Sequence, residues 1–456
     1  DLDPPLDLPG QTGHCELDLG PLMDVGVDGL RGQVCEPLDG AEMPHRSTYQ
    51  TFDAALEGLT AMIEGAAATV EAAIPGAEPE RRAELRALVA ACRRIAHQPP
   101  ASFPEAVQLL WFVLIGVMQA DRAWLVVPGH LDRTLRRFYA RDVARGTLTR
   151  GRALLLIEQL YLFINAYIPD GLAMSVMVGG RDAAGMDVTH DLSYLCLEAL
   201  RRTKMIYPTV GVCWHAGTPD ALVDLAVDLM VEGYKTPAFF GDATIQQGLR
   251  DLGVPPDEAC RYINSTCVEI TPSGGSNVWV TSPYYNTCGL LLEEMEAQAV
   301  DPEPTFERFA VRYRERLAAA IADGVAQQNA WRRARQRRMR RPLQSIFTRD
   351  CIARGRDLED GGARYNWIEC SFIGLANLAD ALYVIRKEVY EAARMTLGEM
   401  KAVLDADFEG AEAVRNPVAR QLEGQIKSAR LAVEEAEAQV AASGDGAGQR
   451  GIGAVV

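Results

Sequence analysis

Arg261-Tyr262-Ile263-Asn264-Ser265-Thr266-Cys267-Val268-Glu269-Ile270-Thr271-Pro272-Ser273-Gly274-Gly275-Ser276-Asn277 is the stretch around which the chain is organised. Tyr262, Ile263, Thr266, Val268, Ile270 and Thr271 favour extended backbone, and Pro272 through Ser276 end the run in a turn. Read as one extended segment, residues two apart share a face, so Cys267 and Glu269 point the same way. A thiol and a carboxylate then look into one space. Sulfur suits nucleophilic or radical chemistry, and a carboxylate accepts a proton. The plainer reading makes Cys267 a small buried residue. An acid on the same face weighs against it, because it needs a partner or a water-filled site.

Outward from this stretch, composition narrows the classes. The chain has 456 residues, of which 48% are hydrophobic, enough for a large core. Its net charge of -16 argues against nucleic acid or an anionic membrane as partner. Ten cysteines are scattered without CxxC pairs or Cys/His clusters at zinc spacing, which argues for reduced thiols in a cytoplasm and no metal centre. The longest apolar run, 106–119, is too short and interrupted to span a bilayer.

Residues 1–50 are rich in Pro, Gly and Asp and read as an irregular leading segment. Helical periodicity follows over 48–74 and 81–95. A third helix opens at Ser102, a candidate N-cap with Glu105 three residues on, and is apolar nearly all round over 107–118. Further helices are expected through Tyr139 and over 149–168, 190–201, 219–233 and 244–252. Strands over 174–180, 208–214 and 237–240 lie between them. This alternation argues for an α/β barrel or a doubly wound sheet. Helices are then expected from Pro283 to about Ala299, over 304–341, 375–391 and 397–408, and a glycine turn at 361–362 leads into a strand. The arginines Arg332, Arg333, Arg335, Arg337, Arg338, Arg340 and Arg341 read as a solvated face at a helix C-terminus rather than an anion patch. Asn416-Pro417 opens a charged helix to about Ala442, before a glycine-rich tail.

From about Gly13 to Arg415 the chain resembles the pyruvate formate-lyase domain of glycyl radical enzymes. The matching segments fall in that family's order: Phe103-Pro104-Glu105-Ala106 with Trp111, Gly129-His130-Leu131-Asp132-Arg133, and Leu192-Ser193-Tyr194-Leu195-Cys196-Leu197-Glu198. Gly233, Pro237, Ala238, Phe239, Phe240 and Asp242 come next. Cys267-Val268-Glu269, Gly361-Gly362-Ala363-Arg364-Tyr365-Asn366 and Phe408-Glu409-Gly410 complete the set.

The resemblance implies an α/β fold: a ten-stranded barrel of two half-barrels, here partial, with the cysteine finger loop inside and many helices around it. Residues 1–415 are the barrel domain, and 416–456 a charged helix with a flexible tail. In this family a backbone glycine radical on a C-terminal loop takes hydrogen from the cysteine, and the thiyl takes hydrogen from substrate. Cys267 and Glu269 are therefore the expected catalytic residues, the glutamate as general base. His14, Asp242, Trp279, Tyr284, Arg364 and Asn366 are candidate substrate contacts. Tyr285, Trp367, Trp214 and His215 are further residues that suit a pocket wall or the core.

Two departures shape the expectation. A single cysteine stands between Thr266 and Val268, where pyruvate formate-lyase uses two adjacent ones, so acetyl transfer from pyruvate is not expected. Cys-Val-Glu instead resembles the branch of dehydratases, amino-alcohol lyases and arylacetate decarboxylases. Dehydratases of that branch also place an acid beyond the loop, and 272–286 holds none. Second, the family's Arg-Val-x-Gly-Tyr loop has no counterpart near the C-terminus. The expectation is the thiyl-bearing subunit of a glycyl-radical-type lyase acting on a small molecule. Its glycyl radical comes from another chain or a missing C-terminal domain and is installed by a radical S-adenosylmethionine activase. The helix from Asn416 is available to dock that partner, and a homo-oligomer is compatible. The alternatives are a non-catalytic binding or scaffold relative and a shortened form of a full-length enzyme.

Overall fold

The structure is a computed structural model that describes residues 11–38, 40, 42–169, 172–265 and 268–411. In chain order it begins β1 (Gln11–Glu16), α1 (Gly20–Cys35), α2 (His45–Ala73), α3 (Pro79–Ile95), α4 (Phe103–Ala120), β2 (Leu125–Val127), α5 (Leu131–Ala144) and α6 (Arg150–Tyr167). Then come β3 (Ser175–Gly179), α7 (Asp191–Thr203), β4 (Thr209–Trp214), α8 (Asp220–Val231), β5 (Ala238–Gly241), α9 (Asp242–Asp251), α10 (Pro256–Ala259), β6 (Tyr262–Asn264), β7 (Ile270–Pro272) and β8 (Ser276–Asn286). The remainder is α11 (Thr287–Ala297), α12 (Phe306–Arg338), α13 (Pro342–Ile346), α14 (Cys351–Arg354), β9 (Tyr365–Ile373), α15 (Leu375–Val384) and α16 (Leu397–Asp405). The expected helix 416–442 and the tail lie outside the described residues.

The chain divides into two compact units: Asp1–Pro283 with Gln328–Cys370, and Tyr284–Gln327 with Ser371–Val456. The leading segment read as irregular contains β1 and α1. Four glycines lower the helix propensity of α1, and Gly26 breaks it with non-helical backbone (φ 73, ψ -179), so its periodicity is faint in the sequence.

The first unit carries the sheet. β1 pairs parallel with β2 and antiparallel with β8, giving the order β2-β1-β8-β9. β3, β4 and β5 form a parallel sheet. Gly129, two residues past β2, bridges Val176 of β3, and Met177 N donates to Gly129 O at 2.7 Å. The two sheets thereby join into an open arc, β9-β8-β1-β2-β3-β4-β5, which is the partial barrel expected. No closed barrel forms among the described residues.

β3 is buried at every position, as a parallel strand covered on both faces must be. Helices α5 and α7 pack on it. Ser102 caps α4 as anticipated, its Oγ accepting from Glu105 N at 3.4 Å, while the Glu105 carboxylate reaches back to Ala101 N at 2.6 Å. α4 runs over more residues than the apolar run suggests, and by length and composition alone could cross a membrane. Leu109, Leu110, Val113 and Val117 are nevertheless sealed in the core.

The second unit is helical. Leu291, Met295, Phe309, Tyr313, Leu378, Ile385, Leu397 and Met400 form its core. Asn286 caps α11 by accepting from Gly289 N at 2.9 Å, and Thr396 with Glu399 closes a capping box on α16.

Candidate functional site

The stretch read as one extended run is a hairpin. β6 and β7 pair antiparallel with Tyr262 opposite Pro272, Ile263 opposite Thr271 and Asn264 opposite Ile270. Ser265 N then donates to Glu269 O at 2.9 Å, extending the pairing one step beyond Asn264 and Ile270. Alternation along a single strand therefore does not apply, because the chain reverses direction between Ser265 and Glu269. Thr266 and Cys267 lie outside the described residues. Val268, just before Glu269, has φ 110, a conformation that a β-branched residue adopts only under constraint.

The hairpin is held by its root. The Ser175 hydroxyl, at the start of β3, donates to the carbonyls of both Asn264 and Ser265. His130 Nε2 donates to Tyr262 O at 2.7 Å. This fixes the finger against the inner end of the parallel sheet.

Glu269 is held from β1. The register of β1 against β2 slips between Gly13 and Cys15, so His14 sits in a bulge with φ 48. Bulges re-aim side chains. A Cβ on Gly13 would stand 2.8 Å from Leu125 C, so only glycine lets the bulge press this close to β2. His14 is buried, and its Nδ1 lies 3.2 Å from Ser265 Oγ and 3.5 Å from Glu269 Oε2. Ser265 Oγ donates to Glu269 Oε2 at 2.8 Å. Since the serine gives its single proton to the carboxylate, the nitrogen facing it carries the hydrogen. Burial alone pushes the Glu269 carboxyl up. The hydrogen bonds from His14 and Ser265 outweigh it and hold the group well below the ordinary carboxylate range.

A second acid was not anticipated. Glu369 on β9 has its carboxyl pushed up to about 7, first by burial and then by the negative charge of Glu269. Glu369 alternates with Tyr365 and Trp367, which pack against the main core. Only the inward parity of β9 signals it in the sequence.

The Gly129–Arg133 turn is the joint of the unit. Glu16 Oε1 accepts from His130 N at 2.9 Å, and a Cβ on Gly129 would fall 2.2 Å from Glu16 Cδ. Asp132 Oδ2 accepts from Gly179 N at 2.9 Å and from Ser193 Oγ at 2.6 Å. Arg133 donates to Gly179 O at 2.7 Å and Cys260 O at 3.1 Å. Burial raises Glu16 to about 7 despite the hydrogen bonds from Ser273 and His130.

The other candidates are dispersed. Asp242 lies beyond the opposite end of the parallel sheet, on α9, fully buried and paired with Arg181 at 2.5 Å. It lines a cavity of about 510 Å³ with Arg181, Asp187 and His215, where His215 Nε2 meets Asp187 Oδ1 at 3.1 Å. Trp279 is buried under the Arg335 guanidinium, 4.0 Å from its ring centroid. Arg364 is engaged by Glu258 and by Asp350, the latter at 2.6 Å. The Asn366 amide donates to Ala363 O at 3.1 Å and accepts from Asn277 at 3.4 Å. Tyr284 belongs to the second unit and is 55% exposed. Of the six, the structure brings only His14 to Glu269.

The arginine run also divides. Arg335 and Arg341 are buried, flanking Glu359 at 3.1 and 3.3 Å, so two of these residues are core ion pairs rather than a solvated face.

A family model described as pyruvate formate lyase-like matches residues 9–421. Trans-4-hydroxy-L-proline dehydratase of Clostridioides difficile is 28% identical over 373 residues, covering 75% of this chain and 47% of that protein. (2S)-3-sulfopropanediol dehydratase of Klebsiella oxytoca is 27% identical over 435 residues, covering 88% of this chain and 53% of its own length. A solved structure from work on 1,2-propanediol dehydration in Roseburia inulinivorans superimposes with a TM-score of 0.82 at 26% identity, over 90% of this chain and 56% of the other. The chain thus spans about half the length of the relatives it matches. Its matched segments, its open arc of strands and its seated finger hairpin agree: the chain belongs to the pyruvate formate lyase-like family of glycyl radical enzymes.

Proposed function

We propose that this chain is the thiyl-bearing part of a glycyl-radical-type lyase, with Cys267 taking hydrogen from a small substrate and Glu269 acting as general base. The observation that carries this reading is the Glu269 carboxylate, kept ionised one residue after the strained Val268 by His14 and Ser265. Ionised at neutral pH and hydrogen-bonded in place, this carboxylate is oriented to accept a proton, and its lowered proton affinity suits a substrate proton made acidic during the reaction. The chain's own residues fit the role of receiving a radical at a finger tip. Ser175 and His130 fix the hairpin root, and the bulge at His14 sets the carboxylate. A glycyl radical, carried by another polypeptide or a further domain and installed by an activase, supplies the unpaired electron when present.

The described residues on either side of Cys267 in sequence are fixed at the hairpin root, and limiting the freedom of reacting atoms in this way is where a hydrogen-atom transfer gains most of its rate. The dehydratase relatives support a lyase that breaks a bond beside the abstracted hydrogen. The test is the anaerobically purified native complex. Cys267→Ala should abolish turnover with the fold intact, and Glu269→Gln should lower it by about 10²–10⁴-fold. Substantial turnover by Cys267→Ala would rule the reading out.

A further inference from the structure

We propose that the cavity at the base of the finger hairpin binds a small tetrahedral oxyanion of the phosphate class, held by Arg261, Arg133 and Arg349. Neither His14 nor Glu269 lines this cavity, so the site stands whether or not the thiyl reading holds.

The cavity has a volume of about 210 Å³. Ser273 N donates to Arg261 O at 2.8 Å, one rung below the pair Tyr262 and Pro272, so Arg261 and Ser273 are the entrance and exit of the hairpin. Arg133 reaches the cavity from α5, held by its bonds to Gly179 O and Cys260 O. Arg349 reaches it from the loop between α13 and α14, where its N donates to Gly274 O at 2.8 Å and its guanidinium to Ser273 O. Three separate elements thus present one guanidinium each. A tetrahedral anion offers acceptor oxygens in several directions, which suits donors that arrive from different sides. Helices α1 and α5 also begin on this wall, and neither N-cap residue, Leu19 or His130, caps with its side chain. Their partial positive charges add to the guanidiniums.

The acids of the cavity do not match these cations. Asp24 is taken by Arg137. Asp18 accepts from Gly20 N at 3.2 Å and stands 3.9 Å from Arg349 Nε, too far for a hydrogen bond. The Arg261 side chain has neither a hydrogen bond nor an ion pair among the described residues. Arg133 Nε, Arg349 Nε and Glu16 Oε2 are buried without a hydrogen-bond partner among the described residues. Folded proteins seldom leave such groups unpaired, and three on one cavity call for a common partner. An oxyanion serves all three when Glu16 is protonated, since its oxygens accept from both Nε–H groups and from the carboxylic acid. Glu16 is suited to this. Burial raises it to about 7 against the pull of Arg133 and Arg261, and a bound anion raises it further. Of the other groups on this cavity, Arg349 and Asp18 keep their charges, and burial holds His130 neutral.

The experiment titrates the full chain with inorganic phosphate and with sulfate by isothermal calorimetry at constant ionic strength. Each anion should fill one saturable site. Arg261→Ala should weaken binding by about 10–100-fold. Because that side chain has no partner to lose, the melting temperature in anion-free buffer should stay unchanged. Sulfate does not titrate near neutrality, so its binding in buffers of different ionisation enthalpy reads protons taken up by the protein. Uptake should appear near pH 7 and vanish in Glu16→Gln, which should still bind sulfate. Glycerol phosphate binding more tightly than phosphate would name an ester as the source, and the reverse order the free ion; either supports the site. No saturable binding at millimolar anion, binding undiminished in Arg261→Ala, or sulfate binding without proton uptake overturns the assignment.

Discussion

His14 Nδ1 stands 3.5 Å from Glu269 Oε2, with the Ser265 hydroxyl linking the two at 3.2 and 2.8 Å. Two strands remote in sequence thus set the charge of one carboxylate. A hydrogen bond to a charged group contributes about 1.5–3 kcal/mol, or about 1–2 pKa units. Ser265→Ala should therefore raise the Glu269 pKa by about that much, read by carbon-13 NMR of the labelled carboxyl. Because the folded value is depressed, this stabilisation is present above the unfolded value and lost as pH falls through the folded one. The variant should be less stable at neutral pH and should lose less on acidification.

Gly129 meets Glu16 where no side chain fits, with φ 58 and a Cβ position 2.2 Å from Glu16 Cδ. Gly129→Ala should cost about 1–3 kcal/mol, through both backbone strain and displacement of the carboxyl from His130 N. A lowered denaturant midpoint with an unchanged slope is the expected reading.

Glu16 gives stability a pH dependence of the opposite sign to Glu269. Its folded pKa, about 7, lies above the ordinary carboxylate value of 4.5. The folded state therefore holds a proton that the unfolded state releases, and stability falls as pH rises from about 4.5 to 7. The loss attributable to this group is about 3 kcal/mol. Glu16→Gln should flatten the slope of melting temperature against pH across that interval.

Glu359 pairs with two buried guanidiniums, Arg335 and Arg341, at 3.1 and 3.3 Å. Glu359→Gln leaves both charges buried without their carboxylate and should cost about 3–5 kcal/mol in chemical denaturation. Replacing Arg335 by Met together with that change should recover part of the loss, since one uncompensated charge is removed.

The long amphipathic and apolar helices were legible because burial imposes their period on the sequence, and Ser102 with Glu105 marked a helix start by side-chain chemistry alone. The order of matched segments identified the partial barrel. Other features were hidden for physical reasons. β6 and β7 are three residues each, and the tip between them has no glycine, so a hairpin and a single strand look alike in composition. Helix α1 was masked by its glycines. The buried state of Arg335 depends on an acid 24 residues away, and the role of Asp242 on an arginine 61 residues away. Such distant pairings leave no periodic trace. Glu369 reads as one charge within Trp367-Ile368-Glu369-Cys370, and only the fold shows which way it faces.

A single hydroxyl, that of Ser175, ties both carbonyls at the finger's root to the first residue of β3. Sliding that strand by one residue would carry the fingertip about 3.3 Å, farther than an atom transfer tolerates. The reach of the hairpin is therefore set by a side chain about ninety residues away in sequence, which makes the start of β3 as consequential as the finger itself.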